Sequence, residues 1–123
     1  MPVIIRNMTE DKQLEVSLIE NIHREDLNPL EIAEAFERMV DQLGLTQQEV
    51  ADRVGKDRAS VANYIRLLKL PPEIKRFIRE GKLSMGQARA ILSLEEEELQ
   101  KRVAFQVVEK SLSVRETEKL VQK

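Results

Sequence analysis

Arg58, Ala59, Ser60, Ala62 and Asn63 stand within one short run and include two side chains suited to reading base edges. Arg58 can donate to guanine O6 and N7, and Asn63 can pair with adenine; a bidentate contact of either kind discriminates by roughly 1–3 kcal/mol. Phosphate is the alternative partner of both. Thr46, Gln47, Lys56 and Arg66 lie on either side of the run. Hydroxyl, amide and cationic groups of this kind grip the phosphate backbone, which fixes register without reading sequence.

These residues need a scaffold that turns one helix outward. The run Gln47 to Arg66 (QQEVADRVGKDRASVANYIR) has the spacing of a helix-turn-helix. Small Ala51 sits where two helices must cross closely, Gly55 sits at the sharp turn, and Val50, Val54, Val61, Tyr64 and Ile65 supply the apolar seam. Thr46 and Glu49 form a capping box for the first helix, and Asp57 is placed to cap the second, expected over Arg58 to Leu68. A helix pair with a glycine turn also serves as plain scaffold. The charge map favours nucleic acid instead: from Arg53 to Arg89 there are ten Lys or Arg and three acids, whereas residues 1–52 carry four bases and twelve acids. A net charge of −2 therefore hides a basic block centred on the motif, as phosphate neutralisation requires.

A chain of 123 residues suffices for one compact domain or two small lobes, and 34% charged with 41% hydrophobic residues reads as soluble and globular. No apolar run approaches the ~20 residues of a membrane span, and no signal-peptide pattern opens the chain. Cysteine is absent, which excludes disulfides and thiolate metal sites and agrees with a reducing cytoplasm. The single histidine, His23, rules out a multi-histidine metal site within one chain and reads as a surface residue.

Helix starts punctuate the rest. Pro2 to Arg6 reads as an extended run, either an irregular tail or, the preferred reading, a strand whose partners would lie in a missing upstream segment. Thr9 is placed to cap a helix of about Glu10 to Arg24, with Leu14, Leu18, Ile19 and Ile22 on one face. Asn28 before Pro29 starts a second helix on Leu30, Ala33, Phe36, Met39, Val40 and Leu43, which stops at Gly44. After Pro71 and Pro72, a helix from Glu73 to Glu80 should bury Ile74, Phe77 and Ile78 and end at Gly81. Ser84 with Gln87, Ser93 with Glu96, and Ser113 with Glu116 are three further box-like starts. Phe36, Phe77 and Phe105 are expected in the core, and Tyr64 partly so. The run Glu95 to Glu98 reads as a solvated first turn favoured by the helix dipole. The fold class is all-α, a multi-helix body containing a helix-turn-helix with a residual N-terminal extended segment.

Four blocks, LIENIHREDLNPLEIAEAF (Leu18 to Phe36), LTQQEVADRVGKDRASVANYIRLLKLP (Leu45 to Pro71), GKLSMGQARAIL (Gly81 to Leu92) and SVRETEKLV (Ser113 to Val121), resemble in this order the ParB family of partition proteins. The resemblance implies sequence-specific binding of a palindromic, parS-like centromere site in double-stranded DNA by two copies of the chain. It implies a role in chromosome or plasmid segregation with a ParA-type ATPase, and a cytoplasmic, nucleoid-associated location in a bacterium or archaeon. No cofactor is required for the DNA binding itself.

Members of that family also bind and hydrolyse CTP and close into a sliding clamp. The resemblance places the second of two phosphate-contacting motifs at Glu20, Asn21 and Arg24, with Glu20 and Asn21 toward a magnesium-bound triphosphate and Arg24 toward phosphate. Without the resemblance these are solvated residues at a helix end. The first motif, an arginine-rich segment ahead of a strand such as Pro2 to Arg6, is missing. Half a pocket is expected to bind CTP weakly and to lack activity, and no catalytic residue is nominated. Residues 1–43 are accordingly expected to be the remainder of an N-terminal nucleotide-binding and partner region, and residues 44–123 the helix-turn-helix DNA-binding domain.

The resemblance also nominates a second DNA-facing element, with Gly86, Gln87 and Arg89 in SMGQAR. The family commonly has histidine in place of Gln87, whose amide can still donate and accept; its alternative role is to cap the helix with Ser84. Nucleoid-occlusion relatives of the Noc type tend to carry a bulky basic residue in place of Gly86, so this glycine favours partition. A helix-turn-helix transcriptional repressor or a Noc-like factor remains the alternative. A CTP-dependent clamp is a further reading only if the upstream motif is supplied.

Overall fold

The structure is a computed structural model that describes residues 8–24 and 27–122. The extended run expected from Pro2 to Arg6 lies outside them. The described residues form an all-α body: α1 (Met8–Ile22), α2 (Pro29–Leu43), α3 (Gln47–Val54), α4 (Arg58–Arg66), a 3-10 turn (Leu67–Lys69), α5 (Pro72–Arg79), α6 (Met85–Leu92), α7 (Glu97–Lys110) and α8 (Val114–Gln122).

Side chains fix most of the helix starts. At Asn28, Thr46, Ser84 and Ser113 the side-chain oxygen accepts from the amide three residues on, and the Glu or Gln at that position accepts from the cap's own amide. Asp57 caps α4 through the Ser60 amide. Replacing such a cap by alanine typically costs about 1 kcal/mol. Gly44 and Gly55 close α2 and α3 in the left-handed region, at φ 68° and 75°. A side chain there would be strained, and the turn at Gly55 is what swings α4 across α3.

The bounds of α1, α4 and α7 differ from the sequence expectation. Thr9 sits inside the first turn of α1 rather than ahead of it, and the helix ends at Ile22, where the His23 and Arg24 amides turn back to the Glu20 and Asn21 carbonyls, each at 3.2 Å. α4 stops at Arg66 and tightens into the 3-10 turn, because Pro71 drives Leu70 out of the helical region to φ −67°, ψ 152°. Ser93 does not open α7. Its hydroxyl donates to the Ala90 carbonyl at 2.7 Å and so closes α6, while α7 begins behind Glu96, whose side chain makes no capping bond.

Two cores hold the helices together. One joins Leu18 and Ile22 of α1 and Phe36 and Met39 of α2 to Val50 of α3 and Val61 of α4, so the acidic N-terminal helix pair packs on its own body. The other gathers Leu30 of α2 with apolar residues of the 3-10 turn, α5, α6 and α7, among them Leu67, Ile74, Ile78 and Ile91. Burying each such large side chain contributes about 1.5–3 kcal/mol. Tyr64 of α4 packs against both cores, so the outward helix is rooted in the seam between them. Arg53 of α3 adds a tie to α1, its Nε 2.9 Å from Glu15 Oε1.

Phe36 and Phe77 are buried as expected, but Phe105 is 52% exposed, its ring packed edge to face with Phe77 at 5.3 Å between centroids. α7 turns Val103, Ala104 and Val107 inward. One residue of helix rotates the chain by about 100°, which carries Phe105 off that face.

Candidate nucleic-acid interface

The first turn of α4 projects from the body. Arg58 and Ala59 are exposed, Ser60, Ala62 and Asn63 are half-buried, and Val61 points into the core. At helical spacing, positions 58, 59, 62 and 63 share the outward face. The cap holds this turn in place: Asp57 accepts from the Ser60 amide at 2.8 Å. Hydrogen bonding from Ser60 keeps the Asp57 carboxyl below its ordinary pKa, and Arg89 adds a smaller electrostatic pull. The exposed Arg89 of α6 thus comes within electrostatic reach of the start of α4.

Thr46 and Gln47 open α3 beside it. Together with Gln48 and Arg58 they line a hollow of about 490 Å³. The amino ends of α3 and α4 therefore border one depression, and the positive ends of their dipoles favour an anion there. Glu49, the acid of the α3 cap, has its pKa lowered chiefly by the hydrogen bond from the Thr46 amide. At the turn between the helices, Lys56 Nζ lies 5.9 Å from the centre of the Tyr64 ring, a cation–π contact that orients the lysine.

Arg66 has an internal partner that its sequence position did not reveal, and Gln87 has one besides the cap with Ser84 that its sequence position allowed. Arg66 Nη2 donates to the Leu92 carbonyl at 3.1 Å. Gln87 Oε1 accepts from the Ser84 amide at 2.8 Å, the capping role, and its Nε2 donates to the Leu112 carbonyl at 2.6 Å. Both ends of that amide are thus engaged within the fold. Gly86 faces α8, where a Cβ would come within 3.0 Å of Val114 Cγ2. Gly86 and Gln87 are therefore brought to the crossing of α6 with α8, whereas Arg89 of the same helix is exposed and within electrostatic reach of Asp57.

The ParB HTH domain family matches residues 25–123. The chain belongs to that family. It is 49% identical over 122 residues to the chromosome-partitioning protein ParB of Myxococcus xanthus (strain DK1622), covering 99% of this chain and 41% of that one. The chain thus spans about two fifths of the length of this curated relative. Its fold superposes with a TM-score of 0.81, at 39% identity, on the C-terminally truncated chromosome-partitioning protein ParB from Caulobacter crescentus complexed to the centromeric parS site, covering 100% of this chain and 62% of that one. Against the C-terminally truncated Caulobacter protein complexed with CTP-gamma-S the TM-score is 0.57 at 37% identity, covering 83% of this chain and 57% of that one.

In this ParB-family chain the residues nominated for nucleotide lie on α1 and its C-terminal side, not on α3, α4 or α6. Glu20 and Asn21 lie in the last turn of α1 and Arg24 just beyond it, with Glu20 and Arg24 exposed and Arg24 Nη1 donating to Asn21 Oδ1 at 3.5 Å. The hollow beside Glu20 is walled by Lys12, Gln13, Val16 and Ser17, and includes neither Asn21 nor Arg24. As they stand, the three residues do not enclose a magnesium-bound triphosphate. Among the described residues no group of three or more His, Cys, Asp or Glu is placed to hold a metal ion. No helix among them is long and apolar enough to cross a membrane.

Proposed function

We propose that this ParB HTH domain recognises a palindromic, parS-like site in double-stranded DNA, one copy per half-site, and serves chromosome or plasmid partition. The observation that carries this reading is the exposed start of α4, where Arg58 shares a hollow with the amino end of α3 and the exposed Arg89 comes within electrostatic reach of the Asp57 cap. The closer match to the parS-bound relative than to the CTP-gamma-S-bound one supports it.

In this reading α3 spans the backbone while the first turns of α4 enter the major groove. Arg58 and Asn63 read base edges, with Ala59, Ser60 and Ala62 on the face that enters. Thr46, Gln47 and Lys56 hold phosphate, and Arg89 grips the duplex from α6. Gly86 and Gln87 serve the surface by seating α6 on α8. A palindrome has a two-fold axis, so two copies bind in equivalent ways.

Residues 1–43 are read as the remainder of an N-terminal nucleotide-binding and partner region, although α1 and α2 share a core with α3 and α4. A ParA-type ATPase, and CTP with magnesium near Glu20, Asn21 and Arg24, are proposed for full-length members of the family; DNA recognition runs without them. The location that follows is the cytoplasm, on the nucleoid. Cleavage-protection footprinting on a duplex with a parS-type palindrome tests the proposal. Protection of both half-sites supports it, and uniform protection along the duplex contradicts it.

A further inference from the structure

α6 reaches the DNA-facing surface with its backbone packed on α8, α7 and the 3-10 turn rather than along α4. Side chains supply the remaining connection. Arg66, the last residue of α4, donates through Nη2 to the Leu92 carbonyl in a partly buried hydrogen bond of 3.1 Å. Leu92 ends α6, and its carbonyl is one of the last four, which have no partner inside a helix. A guanidinium there satisfies that acceptor and meets the negative end of the α6 dipole.

The opposite end of α6 is held as well, with Gln87 on the Leu112 carbonyl and Gly86 against Val114. Arg89 stands between the two fastenings. One turn of helix separates it from Leu92, so whatever fixes that carbonyl relative to α4 also fixes Arg89 relative to Arg58.

We propose that Arg66 is a positioning residue for DNA recognition: it locks the end of α6 to the end of α4, so that Arg58 and Arg89 meet one duplex at a set spacing, instead of holding a phosphate itself. This rests on the DNA-binding reading above. It assigns to α4 and α6 the behaviour of one rigid reading head, with Arg66 setting the spacing between their ends.

The test is a double-mutant cycle on DNA affinity, read by titration of a labelled palindromic duplex and a scrambled duplex across a salt series. The proteins are the parent chain, Arg66→Met, Arg89→Ala and the double variant, each first shown by circular dichroism to keep its helicity. If Arg66 acts through Arg89, Arg66→Met weakens palindrome binding by about tenfold, and the double variant binds like Arg89→Ala alone with the same salt slope. A double variant that is weaker still, with a salt slope lower by about one more, would mean an independent phosphate contact and overturn the proposal.

A parent chain with no preference for the palindrome defeats the site-recognition reading instead. The same cycle is then read on the scrambled duplex, where non-additive losses support the lock and additive losses overturn it. Absence of binding to either duplex overturns both. Should Arg66→Met fail to fold, Arg66→Lys replaces it: the charge stays, but the amine ends one bond short of the Nη2 position. The lock predicts that this variant loses preference for the palindrome. Parental affinity and preference in Arg66→Lys would contradict it.

Discussion

The rings of Phe36 and Tyr64 meet edge to face, with 5.5 Å between centroids and an interplanar angle of 89°. Phe36 is wholly buried on α2, and Tyr64 is half-buried on α4, where burial pushes its phenol pKa up. This pair roots the outward helix in the body, since Tyr64 also touches the second core.

Removing the anchor should loosen the whole reading head. Phe36→Ala is expected to cost about 3–5 kcal/mol in urea unfolding, the usual penalty for emptying a buried aromatic site. Tyr64→Phe keeps the ring contact and should cost far less. Equal losses for the two variants would mean that the hydroxyl, not the stacked rings, holds the seam.

The crossing of α6 and α8 gives a second expectation. Gly86→Leu forces a branched side chain onto Val114 and should destabilise the fold by about 1–3 kcal/mol, the range for overpacking. Val114→Ala in the same chain makes room and should restore much of the loss in a thermal melt. Failure of that rescue would place the constraint on Gly86 elsewhere than at Val114.

Acid should unfold the helix starts first. Glu49, Asp57 and Glu116 all have pKa values lowered chiefly by hydrogen bonds from Thr46, Ser60 and Ser113. A carboxyl with a lowered folded value contributes stability that is present above its ordinary value near pH 4 and is lost as pH falls through the lower folded value. Stability should therefore rise with pH across that window. Asp57→Asn keeps a capping amide but cannot titrate, so its melting midpoint should fall less on acidification than that of the parent chain. Parallel falls would remove Asp57 from the acid response.

Much of this architecture is legible in the sequence because it is local. A cap and its partner lie three residues apart, so Asn28, Thr46, Asp57, Ser84 and Ser113 announce their helices. The same brevity misleads at Ser93, whose spacing to Glu96 fits a cap while its hydroxyl turns back to Ala90. Phe105 misleads for a related reason: apolar periodicity gives the face of a helix only coarsely, and one position of rotation separates core from solvent. The ties that shape the reading surface are not local. Arg66 to Leu92 and Gln87 to Leu112 span 26 and 25 positions. Each ends on a backbone carbonyl, which has no signature in residue type.

Arg58 and Arg24 should part company on mutation. Arg58→Ala is expected to lower the preference for a palindromic site by roughly 1–3 kcal/mol, the value of one bidentate base contact. Arg24→Ala, at the exposed end of α1, should leave DNA affinity nearly unchanged. An unaltered preference in Arg58→Ala removes its assigned role. A large loss in Arg24→Ala would move the end of α1 onto the DNA surface or into the folding core.

The most direct measurement is fluorescence anisotropy of a labelled duplex carrying a ParB-type palindrome against a scrambled duplex of equal length, at about physiological salt, where contacts to phosphate alone are weakened. A ParB HTH domain that reads bases through the first turns of α4 should bind the palindrome more tightly by about fivefold or more, since even one bidentate base contact is worth roughly 1–3 kcal/mol. Equal, salt-sensitive binding to both duplexes would contradict site recognition by this chain.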